Sequence, residues 1–119
     1  MSALDFQVGG NHYKDCAYQP VEFINDLDLN FIQGNITKYL TRYKRKDGKK
    51  DLEKILHYGC LGGELNPRYY GNGDRDKTLY YAECNNISPI GLDILFATIK
   101  QDYEKVVQLA KSLIDETTL

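Results

Sequence analysis

Cysteine is too sparse in this chain to build a framework. Three cysteines stand at Cys16, Cys60 and Cys84, an odd number with no C-x-x-C pair. That argues against a disulfide scaffold and a structural zinc site, and for free thiols in a reducing cytoplasm. No apolar run is long enough to span a bilayer, and no secretory leader is expected. Neither sign of charge dominates: fifteen Lys and Arg against seventeen Asp and Glu leave −2. The molecule as a whole therefore lacks the electrostatic signature of a nucleic-acid or membrane-surface binder. Tryptophan is missing, whereas tyrosine occurs ten times. Tyrosine joins an apolar body to a polar tip, which suits core edges and wet stacking sites alike.

The familiar catalytic signatures are missing too. There is no G-x-x-x-x-G-K-S/T phosphate loop, no G-x-G-x-x-G after a strand, no H-E-x-x-H and no G-x-S-x-G. No helix carries the paired E-x-x-E or E-x-x-D carboxylates that helical nucleotide pyrophosphatases use for Mg²⁺. Asp74 and Asp76 have D-x-D spacing without the rest of a calcium loop and read as turn residues.

A length of 119 residues fits one domain, 1–119, able to bury about two-thirds of its unfolded surface. The expected fold is mainly α. Residues 1–19 read as an N-terminal loop segment with a Gly9-Gly10-Asn11 turn signal. Residues 20–61 read as a helical core. Gln19-Pro20 opens a helix ending near Asp28, and Asn30 caps a second from Phe31 to Arg45, with Gln33 completing a capping box. Gly34, inside that helix, suggests close approach by another backbone or a ligand. A turn at Lys46-Asp47-Gly48-Lys49-Lys50, with Asp47 as a cap, leads to a third helix that stops at Gly62-Gly63; the two helices form an antiparallel hairpin. Residues 62–87 read as a loop or short β-hairpin insertion, with strands around Arg68-Tyr69-Tyr70 and Thr78-Leu79-Tyr80-Tyr81. Ser88-Pro89 opens a helix over 88–116 whose apolar stripe runs unbroken from Leu92 to Ile114. Such a helix would be about 40 Å long. One end would project and pack on a second copy, so a homo-oligomer through this helix is expected, although a helix lying across the whole domain fits the pattern nearly as well.

The centre of interest is Gly34 to Tyr58. Seven of the fifteen Lys and Arg residues fall between Lys38 and Lys50. At about 100° per residue, Asn35, Lys38, Arg42, Arg45 and Lys46 share one polar face, with Tyr39 at its border. Ile36, Leu40 and Tyr43 face the other way. On the next helix Leu52, Ile55 and Leu56 point to a core, while Asp51, Lys54 and Tyr58 line up at i, i+3 and i+7. Arg supplies a fork of donors, Lys a point charge and Asn an adaptable amide, a set suited to phosphate. Tyr13, Tyr39, Tyr43 and Tyr58 offer stacking faces. Asp51 is placed to accept from a ribose hydroxyl, hold Mg²⁺, or pair with Lys54 or Arg42. On spacing alone, a solvated basic face with an internal salt bridge is the favoured reading.

Four blocks of sequence carry a resemblance. They are Asn11-His12-Tyr13; Pro20 with Glu22, Phe23 and Ile24; Gly34-Asn35 with Lys38, Tyr39, Leu40 and Arg42; and Lys46 with Gly48, Asp51, Leu52, Lys54 and Tyr58. In order and spacing they resemble a family of small tailed-phage proteins, labelled either as of unknown function or as phage nucleotide kinases, over roughly residues 11–58. The resemblance implies a nucleotide-binding protein in the cytoplasm of an infected bacterium. It implies nucleotide or phosphate contacts from Asn11, His12, Tyr13, Asn35, Lys38, Tyr39, Arg42, Lys46, Lys54 and Tyr58. Asp51 and His12 are the candidate catalytic groups for phosphoryl transfer to a nucleoside monophosphate, with Mg²⁺ arriving on the nucleotide. His12 and Cys16 share i, i+4 spacing, but two ligands make no metal site. A second reading keeps the pocket without the chemistry: an oligomer that sequesters nucleotides, cyclic ones included, to blunt a host immune signal. Inhibition of a host protein through the tyrosine-rich insertion, or weak nucleic-acid binding through the basic patch, are further alternatives.

Overall fold

Short polar side chains start most of the described helices. The computed structural model describes residues 3–5, 17–45 and 47–117. Asn30 Oδ1 accepts from Gln33 N and Gln33 Oε1 accepts from Asn30 N, both at 2.9 Å, which closes the expected capping box. The Gln33 amide is fully buried and donates onward to the Thr98 and Ile99 carbonyls, each at 3.2 Å. One side chain thus caps a helix and ties it to an element far along the chain. Glu22 Oε1 accepts from Gln19 N behind Pro20, and Ser88 Oγ accepts from Gly91 N behind Pro89.

The described residues form six α-helices: α1 (Pro20–Asp26), α2 (Phe31–Arg42), α3 (Lys49–Leu65), α4 (Arg75–Cys84), α5 (Pro89–Ile99) and α6 (Tyr103–Thr117). A 3₁₀ turn at Ala3–Asp5 precedes them. The most extensive packing is α3 on α6, then α2 on α3; α5 lies against α6 and α2. Each helix contributes to one core: Phe23, Ile36, Leu52, Tyr81, Ile94 and Val106 are all fully buried. Phe23 stacks on Tyr81 with ring centroids 4.4 Å apart, and the Tyr81 hydroxyl lies 2.6 Å from Thr41 Oγ1. The mainly α reading and the α2–α3 hairpin stand. No described helix is long and apolar enough to cross a membrane.

Four expectations need correction. First, α3 does not stop at Gly62-Gly63 but runs to Leu65 and ends at Asn66 in the left-handed conformation, φ 45°. Gly62, with Gly59 a turn earlier, serves packing rather than capping. A Cβ on Gly59 would sit 3.0 Å from a Val107 methyl, and one on Gly62 would sit 2.6 Å from the Tyr103 ring. Second, the expected β-hairpin is absent among the described residues. Thr78–Tyr81 lies within α4, whose N-cap Asp74 accepts from Lys77 N at 3.0 Å, and residues 66–74 form an irregular connector. The β-branched and aromatic residues read as strand are the helix's buried face: Thr78 and Tyr81.

Third, the helix over 88–116 is two helices. Gln101 takes φ 58°, Asp102 N donates to the Ala97 carbonyl at 2.8 Å, and Asp102 Oδ1 accepts from Lys105 N at 3.2 Å. The apolar stripe continues across the break because α5 and α6 bury their stripes in the same core. The projecting end that motivated an oligomer is therefore missing from the described residues. Fourth, Asp47 does not cap α3. Gly48 occupies the N-cap with φ 47°, and the Asp47 carboxylate turns to Arg42 at 3.5 Å.

The adjacent glycines of α3 give a test. Gly62→Ala forces a methyl into Tyr103 and should destabilise by about 1–3 kcal/mol. Gly63→Ala, with nothing within 4 Å of its Cβ, should stabilise by up to about 1 kcal/mol. Urea unfolding of both variants compares them. Tyrosine burial gives another. Desolvation, then the Asp26 carboxylate to which Tyr18 Oη donates at 2.6 Å, raise the Tyr18 pKa; burial also raises those of Tyr43, Tyr69 and Tyr103. Below the ordinary tyrosine pKa of about 10 these hydroxyls are protonated in folded and unfolded chains alike. Above it the unfolded chain ionises first, so stability should fall as pH rises. Thermal unfolding between pH 8 and 11 should show this loss, and Tyr18→Phe should make it shallower.

Candidate anion-binding site

The site is built on an ion pair. Arg42 is the last residue of α2 and Asp51 lies in the first turn of α3. A cation at a helix C-terminus and an anion at a helix N-terminus each oppose the local end of the helix dipole. Arg42 Nε donates to Asp51 Oδ2 and an Arg42 terminal nitrogen donates to Oδ1, both at 3.1 Å. The Asp51 side chain has 0% exposure and that of Arg42 has 13%. Arg42 also reaches Asp47, and Lys54 Nζ lies 3.9 Å from Asp51 Oδ1. The α2–α3 connection is thus closed by a forked, water-excluded pair.

Above that pair stands Tyr39. Lys38 Nζ, the Arg42 guanidinium carbon and Lys54 Nζ lie 4.6, 4.7 and 4.8 Å from its ring centroid. Cations gather over a tyrosine because its π face is electronegative. Tyr58 lies nearly parallel to Tyr39, 18° between planes and 6.1 Å between centroids, and Phe31 meets Tyr58 edge-on at 6.1 Å. Phe31 is 73% exposed, an unusual position for a large apolar ring. His57 lies beside Tyr58 and is exposed. Next to Phe31, α1 and α2 leave an apolar groove of about 410 Å³, which Lys38 and Asn35 also line.

The structure brings Lys38, Tyr39, Arg42, Asp51, Lys54 and Tyr58 together. Asn35 is half-buried one turn before Lys38, and its amide donates to the Phe31 carbonyl at 2.8 Å. Tyr43 leaves the group and packs toward the α4–α5 connection, beside Cys84, Asn85 and Gly91. Asn11, His12, Tyr13 and Lys46 lie outside the described residues, as do Asp15 and Cys16. Arg45, Lys49 and Lys50 are exposed on the turn and extend the positive field. Sequence reasoning missed Phe31, which was legible from spacing: Phe31, Asn35, Lys38 and Arg42 recur at i, i+4, i+7 and i+11 on one face.

Asp51 has its side chain wholly buried and both oxygens held by Arg42, so its carboxylate is shielded from solvent. Among the described residues no three His, Cys, Asp or Glu side chains are grouped to hold a metal. The described residues therefore do not fit a protein-held Mg²⁺. Cys60 is exposed and Cys84 half-buried, both free thiols.

A family model described as a protein of unknown function (DUF3310) matches residues 9–59. The chain is similar to that family over the segment from the N-terminal loop through most of α3. No curated protein and no solved structure matches the chain. Nucleotide kinase activity thus has no support from these comparisons. Within the match, the structure divides the labour. Pro20 and Glu22 start α1, while Phe23, Leu40 and Leu52 fill the core. Gly34 packs on Ile24, whereas Lys38, Tyr39, Lys54 and Tyr58 stand at the surface site.

Removing one partner of the buried pair leaves an uncompensated charge. Arg42→Ala should cost about 3–5 kcal/mol. Lys38→Ala and Lys54→Ala, at the solvent edge, should each cost about 1 kcal/mol or less. Chemical denaturation of the three variants separates scaffold from surface, and shows which substitutions are clean probes of binding.

Proposed function

We propose that this protein binds phosphorylated nucleotides, with the phosphate held at the Lys38–Lys54 edge of Tyr39. The observation that carries this reading is the gathering of three cations within 5 Å of one tyrosine ring beside an exposed aromatic. Arg42 is engaged by Asp51, so this reading assigns the anion to the ammonium groups of Lys38 and Lys54. Phe31 and Tyr58 supply apolar and π surface nearby. Phosphate neutralised by Lys and a flat ring set against aromatic or apolar side chains is the chemistry by which nucleotides are recognised.

Binding without turnover is the form we favour. The carboxylate nearest the phosphate end, Asp51, is occupied by Arg42 and shielded from solvent, so it is poorly disposed as a base or a Mg²⁺ ligand. Any Mg²⁺ would arrive on the nucleotide's own phosphates. A protein of this kind would act by holding a nucleotide, as a sequestering protein does. Phosphoryl transfer to a nucleoside monophosphate, implied by the phage-kinase resemblance, is the alternative that product analysis distinguishes.

Calorimetric titration of nucleoside mono-, di- and triphosphates tests the site. The Lys38→Ala/Lys54→Ala double variant, folded by circular dichroism, should bind at least about ten-fold more weakly, since hydrogen bonds to charged groups contribute about 1.5–3 kcal/mol each. Affinity should also fall with added salt. Wild-type affinity in the double variant would displace the phosphate from this edge.

A further inference from the structure

We infer that the groove between α1 and α2 seats the base of the nucleotide, and that Gly34 and Asn35 set which base fits. This rests on the nucleotide reading above and adds the other half of the ligand. The groove is continuous with the cation cluster, because Phe31, Asn35 and Lys38 line it and also stand at or beside the cluster. Its volume of about 410 Å³ lies within the usual range for small-molecule sites, about 300–1,000 Å³. Val21, Ile24, Leu29 and Phe31 make the walls apolar, as a flat ring requires, and the one ammonium group among the lining residues is Lys38. An apolar slot with a cation at one end is complementary to a molecule with a flat ring at one end and an anion at the other.

The lie of the ligand follows from the helix. Gly34 and Lys38 are one turn of α2 apart, about 6 Å along the axis, a gap for a ribose. At Gly34 a Cβ would sit 3.5 and 3.6 Å from Ile24 methyl carbons, ordinary contact distances. Close backbone approach therefore does not demand glycine here, which leaves the ligand half of the sequence expectation. Gly34 has a regular helical environment where glycine costs about 1 kcal/mol relative to Ala. Packing does not account for it, whereas groove depth does. Asn35 provides direction. Its amide nitrogen is committed to the Phe31 carbonyl at 2.8 Å, which leaves Oδ1 as an acceptor for a ring or exocyclic N–H of the base.

Three variants and a base-free ligand test the seat. Calorimetry compares the four common nucleoside monophosphates with inorganic pyrophosphate, on wild type, Gly34→Ala, Val21→Trp and Asn35→Leu. Gly34→Ala adds one methyl to the floor without a clash. Val21→Trp fills the groove from a rim position that is 58% exposed, so it retains the fold if Gly34→Ala does not. Both should weaken nucleotide binding by about ten-fold or more and leave pyrophosphate unchanged. Asn35→Leu should flatten the preference among bases. Lysine-dependent nucleotide binding that both groove-filling variants retain in full would overturn the seat and leave the phosphate site standing. Wild type that binds nucleotide no tighter than pyrophosphate would do the same. Wild type that binds neither would overturn both readings.

Discussion

Asp51 has no exposed side-chain surface, and a carboxylate taken out of water must be repaid by excellent geometry or it costs several kcal/mol. The repayment comes from Arg42, whose guanidinium meets both oxygens at 3.1 Å. Because the two residues end one helix and begin the next, the pair fixes how α2 and α3 meet. That fixes the faces carrying Lys38 and Tyr39 relative to those carrying Lys54 and Tyr58. Arg42 also lies against the Tyr39 ring, so the scaffold pair and the surface cluster share a side chain. The surface chemistry depends on a charge that never reaches solvent.

This arrangement changes what the motif residues mean. A lysine, an arginine and an aspartate close together suggest, in sequence, a phosphate grip with a catalytic carboxylate. In three dimensions the arginine and aspartate satisfy each other, and the lysines and aromatics face outward. The α1–α2 groove then completes a surface with a cationic end and an apolar end. α4, α5 and α6 lie wholly outside the segment similar to the DUF3310 family. They cover the other side of α2 and α3 and bring Tyr81, Ile94 and Val106 into the core.

Much of this was legible in the sequence where the signal is local. The capping box at Asn30 and Gln33, the Pro-led starts of α1 and α5, and the polar stripes of α2 and α3 are read directly from spacing. The errors share a physical origin. Periodicity reports which face is buried, not whether the helix is continuous, so the Gln101 turn between α5 and α6 was invisible. Gly62 and Gly63 look like a stop signal, yet packing on Tyr103 overrides that local preference and keeps the helix going. Thr78 and Tyr81 have strand propensity, but Asp74 caps a helix there and the core accepts their side chains. Phe31 was read only as the first residue of its helix, although its spacing with Asn35, Lys38 and Arg42 places it on the polar face.

The most direct measurement is chromatography of a nucleotide panel, cyclic dinucleotides included, incubated with excess protein and Mg²⁺ and assayed before and after heat denaturation. The account predicts that one class of nucleotide is depleted from solution and returns chemically intact on heating. A panel untouched by the protein would contradict nucleotide binding. A new nucleotide species would contradict binding without turnover and identify a reaction instead.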